Sequence, residues 1–211
     1  MPTLQLQQGQ IGKQVGQNVQ AGAGEYAEML VSELQGRYYE QVYRGNVFFA
    51  ASGAVATTSG GLTSSSTTPF ILYNPFGSNK NLVILEILSS VVLPAQTAGN
   101  FQVWLVGCLS PTQVAPANVG ALTVYSALLG AGTPAVGKAY SVGTLPTTPV
   151  VIRNLGVLQT LSSTTGAVAF SAMFKDEVAG ALVVPPGIII ATQTSAAMSL
   201  ATSMTWVEVP V

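Results

Sequence analysis

From Tyr38 to the C-terminus the chain repeats one pattern: a short apolar, β-branched or aromatic run, a break rich in Gly, Pro, Ser, Thr or Asn, then another run. Runs of this kind fall at 46–51, 69–73, 81–92, 100–109, 121–129, 149–154, 167–174, 181–184, 187–194 and 199–209. The breaks include GGLTSSSTTP (60–69), NPFGSN (74–79), LPAQTAGN (93–100) and VPPG (184–187). Many short strands at such intervals, with no second helical pattern among them, predict an all-β fold, an antiparallel β-sandwich or barrel. Gly45-Asn46 reads as a turn inside YYEQVYRGNVFF. The NPFGSNKN stretch suits a strand reversal, because Pro75 presets φ and Gly77 or Asn79 accepts positive φ.

The first 36 residues differ from the rest. Residues 1–23 are rich in Gln and Gly, with apolar Leu4, Leu6, Ile11 and Val15 thinly spaced. A segment of this kind buries too little apolar surface to offset its own ordering entropy, so it is expected to be a flexible arm that orders on a partner. Next, Ala27, Leu30, Val31 and Leu34 recur at helical spacing. Glu25 and Glu28 lie in the first turn, where they complement the helix dipole, and Gly36 follows the last turn. A short helix is therefore predicted over 25–35. The expected division is an extended arm plus short helix at 1–36 and a β-sandwich domain at 37–211.

Composition narrows the chemistry. Charged residues make up 7% of the chain and the net charge is −1, whereas an ordinary soluble domain carries about 25% charged residues. There is no His, one Cys (Cys108) and a single Asp (Asp176). The commonest general base and zinc ligand is thus missing, no disulfide can close within the chain, and no Asp-rich calcium loop can form. The few Lys and Arg residues make no basic stripe for nucleic acid. Although 48% of residues are hydrophobic, the uncharged windows are broken by Gly and Pro, as at Pro185, Pro186 and Gly187, so no spanning helix is expected. The N-terminus lacks the basic start and apolar core of a signal peptide. Ser and Thr replace charges as the polar residues of the β region, and mean hydropathy is +0.47. A β domain with so neutral an exterior is expected to be covered by copies of itself or by a larger assembly.

Two phosphate-loop look-alikes do not stand up. Gly132-TPAV-Gly137-Lys138 has the spacing of a P-loop, but Ala139 stands where a Ser or Thr hydroxyl must reach Mg²⁺, and AYSV beyond it is strand-like. Gly22-Ala23-Gly24 opens a helix with no preceding strand, and reads as a hinge. Glu86, Asp176, Glu177 and Glu208 are the only acids of the β region; solvated or ion-paired roles are expected of them. Trp104 and Trp206 each sit in an alternating strand pattern that suits core packing, and Cys108 reads as a small core hydrophobe. Tyr38, Tyr39, Tyr43, Phe48 and Phe49 read as packing of the first strand, and 57–68 as an exposed loop.

Three stretches carry a resemblance. GRYYEQVYRGNVFF (36–49), FILYNPFGSNKNLVILEI (70–87) and GALVVPPGIIIATQTSAAMSLATSMTWVEVPV (180–211) resemble virion structural proteins of tailed bacteriophages. The shared elements are a YNP-x-GS-x-KNLVI hairpin, an LVVPPG turn entering a strand and a terminal W-x-E-x-P. The resemblance implies a β-sandwich of jelly-roll type, commonly trimeric and displayed on the particle, as in capsid decoration (cement) proteins and head or tail fibre proteins. It carries over no functional-site residue.

Residues and resemblance together lead to one expectation: a non-enzymatic virion protein, made in the host cytoplasm, that decorates and stabilises the capsid. Its expected partners are its own copies, as a trimer, and the major capsid protein or other virion proteins. No catalytic residue, cofactor, metal, direct nucleic-acid contact or membrane is expected. The arm contacts would come from Leu4, Leu6, Ile11, Val15, Tyr26, Leu30, Tyr38 and Tyr39. The rival reading is a fibre-associated receptor-binding protein that recognises host glycans, where Trp104, Trp206 and loop 57–68 would matter most. A glycan-cleaving enzyme would need Glu86, Asp176, Glu177 or Glu208.

Overall fold

The structure, a computed structural model, describes residues 5–7, 18–20, 37–57, 60–93, 99–160 and 172–211. The chain divides into two units, Met1–Tyr39 and Glu40–Val211. In the first, β1 (Gln5–Gln7) pairs antiparallel with β2 (Asn18–Gln20), with Leu6 opposite Val19. The helix expected over 25–35 lies outside the described residues.

The run beginning at Tyr38 starts with one helical turn, α1 (Tyr39–Tyr43), rather than with a strand. Local interactions outweigh the β-prone composition there. Glu40 accepts from Arg44 one turn later at 2.6 Å, and Gly45, at φ 72°, closes the turn by donating to the Val42 carbonyl.

The strands of the second unit are β3 (Val47–Ala51), β4 (Val55–Ala56), β5 (Phe70–Tyr73), β6 (Lys80–Leu93) and β7 (Gly99–Cys108), followed by β8 (Gly120–Ala121), β9 (Tyr125–Ser126) and β10 (Lys138–Ser141). The series continues with β11 (Val150–Thr160), β12 (Met173–Asp176), β13 (Leu182–Val184), β14 (Ile189–Thr194) and β15 (Ser199–Pro210). Their pairing is nested. β3 pairs with β15, β5 with β14, β6 with β12 and β13, and β7 with β11, all antiparallel. Two further ladders, β6 with β15 and β7 with β14, join these hairpins into sheets. One sheet runs β11-β7-β14-β5-β10-β8 and the other β12-β6-β15-β3-β9. Nested pairs falling alternately in two sheets are the jelly roll, a form of the antiparallel sandwich that the strand pattern predicts.

Between the sheets lies an apolar core. Phe48, Leu82, Ile84, Ile87, Met204 and Trp206 from one sheet meet Phe70, Leu72, Leu105 and Ile190 from the other. Toward the far end of β6 and β15, Val91, Val103, Leu158, Met198 and Leu200 continue it. The first sheet is also covered on its outer face, where Ile71, Tyr73, Val106, Cys108, Ile189 and Ala191 pack with Leu145 and Val119 of the 109–149 connection. Strands buried on both sides need no polar alternation, which explains the unbroken apolar FILY of β5 and the Ile189–Ala191 stretch of β14. At the NPFGSN reversal, Gly77 and Asn79 both adopt positive φ, 79° and 54°.

Two expected strands differ. The run at 121–129 is split: β8 belongs to one sheet and β9 to the other, and the chain crosses between them with Leu122 and Val124 against the core. The run at 149–154 continues to Thr160 as β11, an edge strand kinked by two bulges, one of them at Asn154/Gly156. Of the run at 167–174, the described part is β12; residues 161–171 lie outside the described residues. β4 and β10 were not among the predicted strands.

Gly156 has a steric reason: a Cβ there would overlap the Phe174 ring of β12. Gly156→Ala is expected to cost about 1–3 kcal/mol, the usual range for overpacking. Phe174→Leu should recover part of it, so denaturant titration of G156A/F174L should show less loss than the two single variants summed. Strict additivity would mean that the ring is not what excludes the side chain.

Candidate functional site

The four acids weighed for catalysis fall in two places. Glu208, near the end of β15, is ion-paired, one of the two roles expected of it, and it is buried at 1% exposure. Its Oε1 accepts from the backbone N–H of Val136 at 2.7 Å and Gly137 at 2.8 Å, and its Oε2 accepts from Lys80 Nζ at 3.1 Å. The P-loop look-alike at 132–138 therefore does aim amides at an anion, and that anion is this chain's own side chain. Charge-assisted bonds of this kind offset the burial of the carboxylate. The alternating MTWVEV pattern holds no signal for this partnership, because both amides come from a loop about 70 residues earlier.

The other three acids gather at the β6–β12 edge. Lys175 bridges Glu177 at 2.9 Å and Glu86 at 3.3 Å, and Asp176 holds Arg153 of β11 at 2.7 Å, linking the two sheets. Hydrogen bonding to Glu177, then to Glu86, raises the Lys175 ammonium above its ordinary value. An open polar cleft of about 390 Å³ lies here, lined by Arg153, Asn154, Leu155, Lys175 and Asp176. Every carboxylate from Glu40 to Glu208 is thus held by a Lys or Arg of the same chain.

The two tryptophans part company. Trp206 is fully buried between the sheets, as its pattern suggests. Trp104 is not a core residue. It shares the outer face of the first sheet with Gln102 and Val106, since Val103 and Leu105 take the inner positions, and it is half-buried. Its Nε1 donates to Gln102 Oε1 at 2.7 Å. Its register partners are Asn154 on β11 and Gln193 on β14. Loop 57–68 is less exposed than expected: Thr57, Ser66 and Thr68 are buried, and residues 58–59 lie outside the described residues. It is tied to the same face, since Gln193 Nε2 donates to the Thr63 carbonyl at 3.0 Å and Gly61 N to the Thr194 carbonyl at 2.9 Å. Gly60 permits this, because a Cβ there would overlap the backbone of Ser195 and Ala196.

Cys108 is a buried core thiol, as expected. Tyr140 lies beside Tyr73 under the outer cover, and burial, then Tyr73, raises its phenol above the ordinary range. The aromatic run divides: Phe48 packs in the core and Phe49 stacks on Tyr125 at 5.8 Å, whereas Tyr39 and Tyr43 are exposed on α1. Of the arm contacts, Leu6 lies in β1, and Leu4, Ile11, Val15, Tyr26 and Leu30 lie outside the described residues. Tyr38 is half-buried, with the Arg37 guanidinium 5.6 Å from its ring centre, and Tyr39 is exposed. Among the described residues no group of three or more His, Cys, Asp and Glu side chains is placed to hold a metal, and no helix is long and apolar enough to cross a membrane. Comparison with family models, curated proteins and solved structures finds no match to this chain.

The Glu208 arrangement predicts an asymmetry. Glu208→Ala strands the buried Gly137 N–H, the partly buried Val136 N–H and the Lys80 charge, and should destabilise by about 3–5 kcal/mol. Lys80→Ala leaves Glu208 with both amides and removes a side chain one-third exposed, so it should cost about 1 kcal/mol. Equal losses in chemical denaturation would show that the amides do not hold the carboxylate.

Proposed function

We propose that this chain is a non-enzymatic virion structural protein of a tailed bacteriophage, which decorates and stabilises the capsid as a symmetric oligomer, a trimer, bound to the major capsid protein. The observation that carries this reading is the outer face of the β12-β6-β15-β3-β9 sheet. Across it run Val183–Val83, whose row continues into Val207 and Val47, already buried within the chain, then Lys175–Leu88–Ser203–Ala51, then Met173–Ser90–Ala201. Phe49 and Thr205 carry it on to exposed Tyr125. The only charges in these rows, Lys175 and the Glu86 beside Thr205, are bridged to each other. A broad β surface of Val, Ala, Ser and Thr without net charge suits burial against another protein and is poorly suited to water. The jelly roll is a fold used by capsid proteins, and the three stretches that resemble virion proteins cover α1 with the start of β3, β5 with the first part of β6, and β13–β15.

Residues 1–36 serve as the anchor in this reading. Deleting 1–23 should abolish binding to capsid shells while the circular dichroism of the β body is unchanged; saturation of shells by the truncated protein would overturn the anchor. Gold-labelled antibody should decorate the heads of purified virions, and label confined to tails or absent from particles would overturn the decoration role. The covered face has its own test. Met173 is 67% exposed, so Met173→Glu should leave monomer stability within about 0.5 kcal/mol. Sedimentation should nonetheless show the oligomer dissociating, since a like charge would then repeat at each interface.

A further inference from the structure

We propose that the Trp104 face of the first sheet binds a neutral oligosaccharide. Trp104, Asn154 and Gln193 stand side by side on three adjacent strands, a row roughly 10 Å wide at ordinary strand spacing. Gln102 follows on the same face of β7, and its own backbone N–H is fixed by Ser195 Oγ at 2.7 Å. The indole rests on the outer apolar cluster and is held at its N–H by Gln102. It is thus a preorganised, half-exposed ring flanked by Gln102 and Asn154, with Gln193 buried beneath the row. The amide N–H groups of Gln102 and Asn154 are turned to a ligand while their oxygens accept from Trp104 Nε1 and Gly156 N.

Each side chain in that row is aromatic or a neutral hydrogen-bonding group. Amides offer donors and acceptors together, as sugar hydroxyls do, and an indole face accepts the apolar C–H side of a pyranose. A charged ligand finds no free counter-charge in the row, because the nearby Arg153 and Lys175 are bridged to Asp176, Glu86 and Glu177. Gln193 adds an independent sign of incompleteness. It is 2% exposed, and its Oε1 has no hydrogen-bond partner among the described residues. An acceptor left unpaired at that depth is costly. Asn154 belongs both to this row and to the open cleft of about 390 Å³ at the sheet edge. This proposal does not depend on where the protein sits on a particle.

The test is an array of immobilised neutral glucans, galactans and N-acetylglucosamine oligomers, with sialylated and sulfated glycans beside them. Saturable binding to neutral members is expected, weakened about tenfold or more by Trp104→Ala and several-fold by Asn154→Ala, with Met173→Ala, on the opposite face, without effect. Trp206→Phe leaves Trp104 as the one tryptophan, and the bound sugar should then shield its fluorescence from iodide quenching. That shielding decides the matter if Trp104→Ala does not fold. Binding to charged members alone, no neutral binding at millimolar concentration, binding indifferent to Trp104→Ala, or unshielded quenching would overturn the proposal.

Discussion

The ladder between β6 and β15 is the constraint on which the body depends. It runs from Ser199 opposite Leu93 to Pro210 opposite Lys80, and it joins strands more than a hundred residues apart. One side of it supplies Leu82, Ile84, Ile87, Met204 and Trp206 to the core, and it joins the β3–β15 pair to the β6–β12 and β6–β13 pairs in one sheet. Contacts this distant in sequence carry a large loop-closure entropy, which must be offset by burying the apolar face in the same step. The ladder ends at the Lys80–Glu208 pair, whose carboxylate draws the 132–138 loop onto the end of the sheet. A polar residue that looks misplaced in an apolar strand therefore ties the long 109–149 connection to the ladder.

The same economy governs the rest of the charge. The five carboxylates from Glu40 onward are all matched by cations of the chain, and one of these bridges, Arg153–Asp176, spans the gap between the two sheets. Surface pairs of this kind add little stability. What they do is cancel the few charges present, leaving faces that hold polarity through Ser, Thr, Asn and Gln. Such faces have little electrostatic barrier against contact with another neutral surface.

Much of the sandwich was legible in the sequence because its signals are local. Runs such as Phe70–Tyr73 and Ile189–Thr194, and breaks such as NPFGSN and VPPG, mark strands and turns by themselves. The differences have two sources. The local Glu40–Arg44 pair and the Gly45 turn make α1 of an aromatic β-like run, whereas the 121–129 run is divided by distant contacts, because its middle crosses between sheets. The candidate site was less legible still. Alternation shows that Trp104 and Trp206 each point to one side of a strand, but not which side is the core; that depends on the partner strand. Nor does any spacing rule place Asn154, Gln193 and Trp104 in one row, since three separate ladders bring them together.

The two outer faces of the sandwich have different fates, and the difference bears on how the protein would work. The 109–149 connection covers part of the first sheet and loop 57–68 is tied over Gln193, which among the described residues leaves Trp104 half-buried with exposed Gln102 and Asn154 beside it. The second sheet presents its rows of Val, Ala, Ser and Thr more broadly. A subunit displayed on a particle must bury one side and present another. In the proposed arrangement the neutral, amide-poor sheet is the side that is covered, and the Trp104 strip, facing the opposite way, is the side that meets the surroundings. Both assignments follow from one physical rule: a surface of small apolar and hydroxyl side chains without net charge loses little when placed against protein, whereas a ring beside amides is best placed where a hydrogen-bonding ligand can reach it.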